Sequence, residues 1–504
     1  MSLCTVLLTD RWRAGEPDCS VFEGAFGAEK KVVMSEPEAA ARLAGLAEVL
    51  RSHGVGPDVR VGVLSNHRIE TYLAVLAVVS VGGTFVPLNP KFPVERLRTI
   101  VDLARPVVVL GDTSTAGVHH EVAASVPFID VASVAPSPNR VQMWLDTATN
   151  IPISGGNTAY VMFTSGSTGS PKGVPISYAN LDAYVDGVAG LLAIPQGARF
   201  SQFFDLSFDL SMHDIFVSMR HRGTLVAPTA VDLMMPGAYV ARERIDAWFS
   251  VPLVGAQLGA GKRREDFPGF RSMLFCGEAL PMETVAACRP WLAVGGRMWN
   301  LYGPTEATIA FTAADVTESV RVDGNASIGR PFGVNRTAMF TVDGTVMEEP
   351  QLGDEGELLL GGPQVFAGYS TDAPSPFVDQ SNTRWYRSGD LVRIDDEGVY
   401  FRGRVDSQVK FRGYRIELGE IETVARRTFG LKTVAVVVSG EGSDARLVLF
   451  HLSSEAAGAI DLQRLGTNLP TYMIPAEAMA LNAMPTNQNG KIDRRALAAQ
   501  PRGT

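Results

Sequence analysis

Apolar positions along the chain follow two rhythms. Leu43, Leu46 and Leu50 recur at helical spacing and mark one face of a helix that Gly54 ends. Ser35, three residues before Glu38 and with Pro37 between them, has the form of a capping box opening that helix. Val59-Arg-Val-Gly-Val-Leu64 then reads as a strand. The run Tyr72-Leu-Ala-Val-Leu-Ala-Val-Val79 is apolar throughout, which predicts a helix buried on every side. Ser80 and Gly82-Gly83 break it, and it is too short to span a bilayer. Phe85-Val-Pro-Leu88 and Val107-Val-Val-Leu110 continue the pattern as strands. Strands separated by helices predict mostly parallel sheets with helices on both faces.

The rhythm shortens between 334 and 403. Turns become frequent, at Asp343-Gly344 and Asp396-Glu-Gly398, and the strands are brief, which predicts a small antiparallel, β-barrel-like subdomain. After Asp406 it changes again. A helix over 417–429, strands at 434–438 and 446–450, and a short helix beyond predict a small α+β unit of about 100 residues. The expected class is therefore α/β, with a large unit over 1–405 and a small one over 406–504.

Composition narrows the function. A chain of 504 residues is too long for one ordinary core, and 46% hydrophobic with 20% charged residues is normal for a folded protein. A net charge of −9 argues against nucleic acid held on a basic face. Cys4, Cys19, Cys276 and Cys288 are too scattered for a disulfide framework or a zinc site, and the histidines form no metal-binding motif. The first ten residues lack the basic start and apolar core of a secretory leader. A cytoplasmic protein without membrane insertion is the expectation.

The densest chemistry lies in Phe163-Thr-Ser-Gly-Ser-Thr-Gly-Ser-Pro-Lys-Gly173, directly after an apolar stretch. Glycines let backbone N–H groups approach an anion, while hydroxyls and a lysine add donors and charge, as a triphosphate requires. The lysine follows a proline, so this is not a Walker loop. Taken alone, the segment also suits a flexible surface loop.

Further segments accompany it in order: Asn300-Leu-Tyr-Gly-Pro-Thr-Glu306, Gly356-Glu-Leu, Gly368-Tyr369, Tyr386-Arg-Ser-Gly-Asp390, Gly403-Arg-Val-Asp-Ser-Gln-Val-Lys-Phe-Arg-Gly-Tyr-Arg-Ile-Glu417, Leu469-Pro-Thr-Tyr-Met-Ile-Pro475 and Asn489-Gly-Lys-Ile-Asp493. Together they resemble the adenylate-forming superfamily. The likeness is to the amino-acid adenylation enzymes of nonribosomal peptide pathways and to the D-alanine–carrier-protein ligases.

The resemblance implies two half-reactions. A carboxylate attacks the α-phosphorus of ATP, giving an acyl-adenylate and pyrophosphate; a thiol then displaces AMP. It implies that Thr164, Ser165, Gly166, Ser167, Thr168, Gly169 and Lys172 hold the outer phosphates. Tyr302 stacks on adenine, Thr305 touches the α-phosphate and Glu306 holds Mg²⁺. Asp390 and Arg404 meet the ribose, and Lys491 bridges the substrate carboxylate and ATP. Apart from the resemblance, these residues also suit plainer roles: Tyr302 as a buried tyrosine, Glu306 as a capping carboxylate, Asp390 and Arg404 as structural ion-pair members, Lys491 as an exposed tail lysine. The small unit is implied to be mobile about Asp406 or Ser407, with Gly413 lining the path of the thiol.

Asp209 falls where amino-acid-activating members pair the α-ammonium, though a carboxylate beside Ser211 also suits a helix start. The other implied pocket positions are Leu210, His213, Ser250, Leu274, Cys276, Leu301, Ile309 and Ala310, with Lys491. These walls are mostly apolar, so a small neutral side chain is expected: alanine (including D-alanine), serine, cysteine or proline. His213 and Ser250 either serve a polar tip or satisfy each other or the backbone. Cys276, with no accompanying base in sequence, reads as a compact wall. The carrier motif Gly-Gly-x-Ser is absent, which predicts a freestanding enzyme whose partner is a separate carrier protein bearing phosphopantetheine. An acyl- or aryl-CoA ligase, and a catalytically silent interaction module on the same fold, are the alternatives.

Overall fold

The structure is a computed structural model and describes residues 11–12, 19–64, 66–166, 171–192, 194–319, 324–341, 343–371, 373–380, 383–395, 398–440, 444–455, 459–486 and 492–500. Two helix-covered sheets and one curled antiparallel sheet make up most of it, as an α/β reading requires. The first sheet orders its strands Phe128–Asp130, Val108–Gly111, Arg60–Leu64, Thr84–Leu88, Thr158–Thr164 and Lys172–Ser177. All pairs are parallel except the last, which sets Thr164 opposite Lys172. The second has nine strands, with a parallel centre and antiparallel edges.

Helix Ile69–Ser80 explains its own sequence. All twelve of its residues are buried, because it packs against strands of both sheets. The hairpin of Ser20–Phe26 and Glu29–Ser35 closes one edge of the nine-stranded sheet.

One expectation needs correction. Helix Glu36–Ser52 does begin after Ser35 with a proline in its first turn, but no side-chain cap forms. Glu38 pairs instead with Arg42 one turn on, at 3.2 Å, and Glu36 is buried against Arg11 at 2.9 Å. The acidic first turn meets the helix dipole without a capping box.

The third sheet is antiparallel and runs through Arg336–Phe340, Glu355–Gly361, Thr383–Asp395 and Gly398–Arg404. Beyond it, Gln408–Phe411 and Tyr414–Glu417 form a hairpin, and helix Leu418–Phe429 covers a sheet of Val434–Ser439, Arg446–Leu452 and Glu477–Leu481. Two apolar clusters draw only on residues beyond 408.

This C-terminal part rests on the large sheets through specific contacts. Arg96 donates to Glu420 at 2.6 Å, with both side chains buried. Tyr414 stacks on Tyr472 with ring centroids 3.7 Å apart and meets Phe208 edge-on. Among the described residues no helix is long and apolar enough to cross a membrane.

Candidate active site

The site forms where strand Leu292–Tyr302, third from one edge of the nine-stranded sheet, ends. Gly303-Pro304 leads into one tight turn, Thr305–Ala307, followed by Thr308 and Ile309 at φ 59° and 68°. Two β-branched residues in the left-handed region are strained and need outside support. Buried Gln364 supplies it. Its backbone carbonyl accepts from the Thr308 hydroxyl at 2.6 Å, and its side-chain amide donates to Ala310 O at 2.7 Å. The turn thereby aims Glu306 into the cleft and the Ile309 N–H at Asp209, whose carboxylate accepts it at 3.1 Å.

Asp209 directly precedes helix Leu210–Arg220 but does not cap it with its side chain. Burial raises its carboxyl to about 6, and the bond from Ile309 opposes that shift. A small cavity of ≈ 70 Å³ is lined by Asp209, Leu210, Cys276, Thr305 and Gly413, among others. Burial pushes the Cys276 thiol up to about 12, which suits a wall and not a nucleophile. His213, Ser250, Leu274, Leu301, Ile309 and Ala310 are all buried. His213 and Ser250 do not satisfy each other. The Ser250 hydroxyl accepts from the Trp248 indole at 2.9 Å and donates to Val251 O at 3.1 Å. His213 Nδ1 meets the Tyr184 hydroxyl at 2.7 Å.

A second cavity, of ≈ 380 Å³, is lined by Gly277, Ala279, Asn300, Tyr302, Arg404 and Lys410, among others. Asn300 donates to Ser327 O at 2.8 Å, while its Oδ1 is buried with no partner. An orphaned acceptor beside a tyrosine ring fits a flat heterocycle that bears an amine, such as adenine. Asp390 accepts from the Tyr302 hydroxyl and from Arg404, each at 2.5 Å, and Arg404 also grips Asp406 at 2.7 Å. Lys410 stands 5.0 Å over the Tyr302 ring.

Glu306 is fully engaged. Tyr369 donates to one oxygen at 2.9 Å and Arg415 to the other at 2.5 Å. Burial alone would raise its carboxyl, but Arg415 outweighs that and holds it below the usual range. Among the described residues no group of three or more histidines, cysteines and carboxylates could hold a metal. A cation at Glu306 would therefore take most of its oxygens from the nucleotide, as Mg²⁺ commonly does.

The hairpin tip closes the cleft. Gly413, at φ 82°, donates its N–H to Glu278 at 2.6 Å, and a Cβ there would stand 2.9 Å from Val251. Ser165 donates to Arg415 O at 3.2 Å. Asp406 and Ser407 connect the curled sheet to the hairpin, and Asp406 accepts from Gln408 N at 3.1 Å. Thr164 stands opposite Lys172 in the strand pair, and Lys172 Nζ lies 5.6 Å from the ring of Tyr369, which holds Glu306; Ser167, Thr168, Gly169 and Lys491 lie outside the described residues.

Sequence reasoning passed over four participants. Arg415 and Asn300 stand inside recognisable motifs, but nothing in those motifs says that Arg415 pairs with Glu306 or that Asn300 bonds Ser327 O. Gln364 and Tyr184 carry no local signal, since each acts on residues tens of positions away.

The family described as AMP-binding enzyme matches over residues 17–370. The chain is 34% identical over 491 residues to an L-proline–[L-prolyl-carrier protein] ligase of Streptomyces coelicolor, covering 92% of each. It is 34% identical over 473 residues to the phosphinothricin tripeptide synthetase PhsC of Streptomyces viridochromogenes, covering 90% of this chain and 41% of that protein. The crystal structure of the Vibrio cholerae adenylation domain AlmE in complex with glycyl-adenosine-5′-phosphate superposes with a TM-score of 0.86 at 26% identity, over 99% of this chain and 97% of that one. The matched stretch contains the strained turn, Asp209 and the two strands that carry Thr164 and Lys172, and the chain belongs to the AMP-binding enzyme family.

Proposed function

We propose that this chain activates a small neutral amino acid as its aminoacyl-adenylate, releases pyrophosphate, and passes the acyl group to the phosphopantetheine thiol of a carrier protein. The observation that carries the reading is Asp209: a buried carboxylate, held by Ile309 N–H, on a cavity wall that Phe208, Leu210 and Cys276 share on one side and Asp390, Lys410 and Arg415 on the other. A buried charge of this kind needs a partner, and the α-ammonium of an amino acid supplies one. A fatty or aryl acid would leave it unpaired. Proline, the substrate named for the relative at 34% identity, is one candidate, with alanine, serine and cysteine.

The proposed division of labour keeps the roles that the family resemblance implies and adds Asn300. Asn300 and Tyr302 receive the base, and Asp390 with Arg404 the ribose. Thr164, Ser165, Gly166, Ser167, Thr168, Gly169 and Lys172 receive the outer phosphates, and Thr305 the inner one. Mg²⁺, when bound at Glu306, neutralises charge crowding on the phosphates. In the arrangement described, Arg415 occupies that carboxylate and Gly413 lies beside Val251, which suits the thiol-transfer half. Adenylation then requires the unit over 406–504 to turn about Asp406 and Ser407 and bring in Lys491.

Lys491→Ala is the direct test of this division. Adenylate formation should fall by about 10²–10³-fold, while thioester formation from a supplied aminoacyl-adenylate persists. Equal loss in both half-reactions would contradict it.

A further inference from the structure

Asp390 stands on an irregular stretch of its strand. Between Glu355–Gly361 and Thr383–Asp395, Leu359 faces Arg387 and Glu357 faces Leu391, so Ser388, Gly389 and Asp390 stand opposite Leu358 alone. Such a bulge re-aims side chains and takes backbone N–H groups off the ladder. Gly389, at φ 74°, makes the bend, and a Cβ there would stand 2.5 Å from the Arg404 guanidinium.

Buried N–H groups off the ladder need other acceptors. Asp390 N–H donates to the Ser388 hydroxyl oxygen at 3.0 Å, and that hydroxyl donates to Leu358 O at 2.7 Å. Gly389 N–H donates to the buried carboxylate of Glu357 at 3.0 Å. The other oxygen of Glu357 accepts from Arg387 Nε at 3.0 Å and from a terminal guanidinium nitrogen at 2.5 Å. Both carboxylate oxygens thus face donors, so an amide in that place would set its own N–H groups against one of them. The Arg387 side chain is 43% exposed, and an ion pair so open to water contributes little by itself. The bond to Gly389 is buried, and it lies one residue from Asp390.

We infer that Glu357 is a positioning residue for nucleotide recognition: by holding Gly389 N–H it fixes the bulge from which Asp390 meets the ribose hydroxyls. This rests on the proposed assignment of Asp390 to the ribose. Asp390 already accepts from Tyr302 and Arg404 at 2.5 Å each. Its remaining lone pairs reach two hydroxyls at once only when the carboxylate is held at one angle.

The test is calorimetric binding of AMP and of 2′,3′-dideoxy-AMP to the whole enzyme. The parent should favour AMP by about 10²-fold, as two hydrogen bonds to a carboxylate imply. Glu357→Gln should cut that preference at least about fivefold, and partial unfolding leaves such a ratio unmoved. Glu357→Asp, which keeps the charge for Arg387 but falls short of Gly389, should cut it to a similar degree. Arg387→Gln breaks the ion pair and leaves the carboxylate on Gly389, so it should hold the preference within about twofold. Full preference in both Glu357 variants, or an equal loss in Arg387→Gln, would overturn the inference and leave Asp390 on the ribose. A parent that binds the two nucleotides equally would remove Asp390 from the ribose, and the inference would fall with that assignment.

Discussion

Burial lifts the Asp209 carboxyl from its ordinary value to about 6, so the group is mostly ionised at pH 7 and loses its charge just below. An ammonium binds only the ionised form. The amino-acid kcat/KM should therefore fall about tenfold per pH unit below pH 6, a limb that Asp209→Asn removes along with about 10²–10³ of kcat/KM at neutral pH. Stability should move the other way. The folded pKa lies above the unfolded value of 3.8, so ionised Asp209 destabilises the empty protein, fully above pH 6 and not at all below pH 4. That shift corresponds to roughly 3 kcal/mol. Thermal unfolding should show Asp209→Asn melting above the parent at pH 7, with the gap closing by pH 4. Asp209 was legible in the sequence because its motif is contiguous. Its anchor at Ile309 was not, since a hydrogen bond across 100 positions leaves no local pattern.

Among the elements, the turn after Leu292–Tyr302 stores strain that one side chain offsets. Gln364→Ala removes the hydrogen bond to Ala310 O and leaves buried carbonyls unpaired. It should cost about 2–4 kcal/mol, read by urea denaturation, and should weaken nucleotide binding through the displaced turn. The hairpin Gln408–Glu417 makes a different prediction. Gly413→Ala puts a Cβ 2.9 Å from Val251 at a positive φ, so transfer to a carrier should slow while adenylate formation is retained. The elements themselves were largely readable. Periodicity placed helix Ile69–Ser80 and the strands about it, because a helix wedged between two sheets must be apolar all round. The missing cap at Ser35 shows the limit. A capping pattern competes with other partners, and here Arg42 takes Glu38.

Over the whole molecule, two ion pairs fasten the C-terminal part to the large sheets: Arg96 with Glu420, and Glu306 with Arg415. Both belong to the arrangement that places Gly413 at Val251. Glu420→Gln leaves a buried guanidinium without its charge partner, which costs that arrangement about 3–5 kcal/mol. Thiol transfer should slow and adenylation should persist. Equal loss of both half-reactions would show the pair to be structural only. No sequence pattern announced either contact, because each joins residues more than a hundred positions apart.

The central claim is that a buried carboxylate selects acids bearing an α-ammonium for attack on ATP. The most direct measurement is exchange of labelled pyrophosphate into ATP by the purified protein with Mg²⁺, across the D- and L-amino acids and a matched set of fatty and aryl acids. Exchange is expected with at least one small neutral amino acid and none with its deaminated analogue. Exchange driven by an acid lacking the amine, or by nothing in the set, would contradict it.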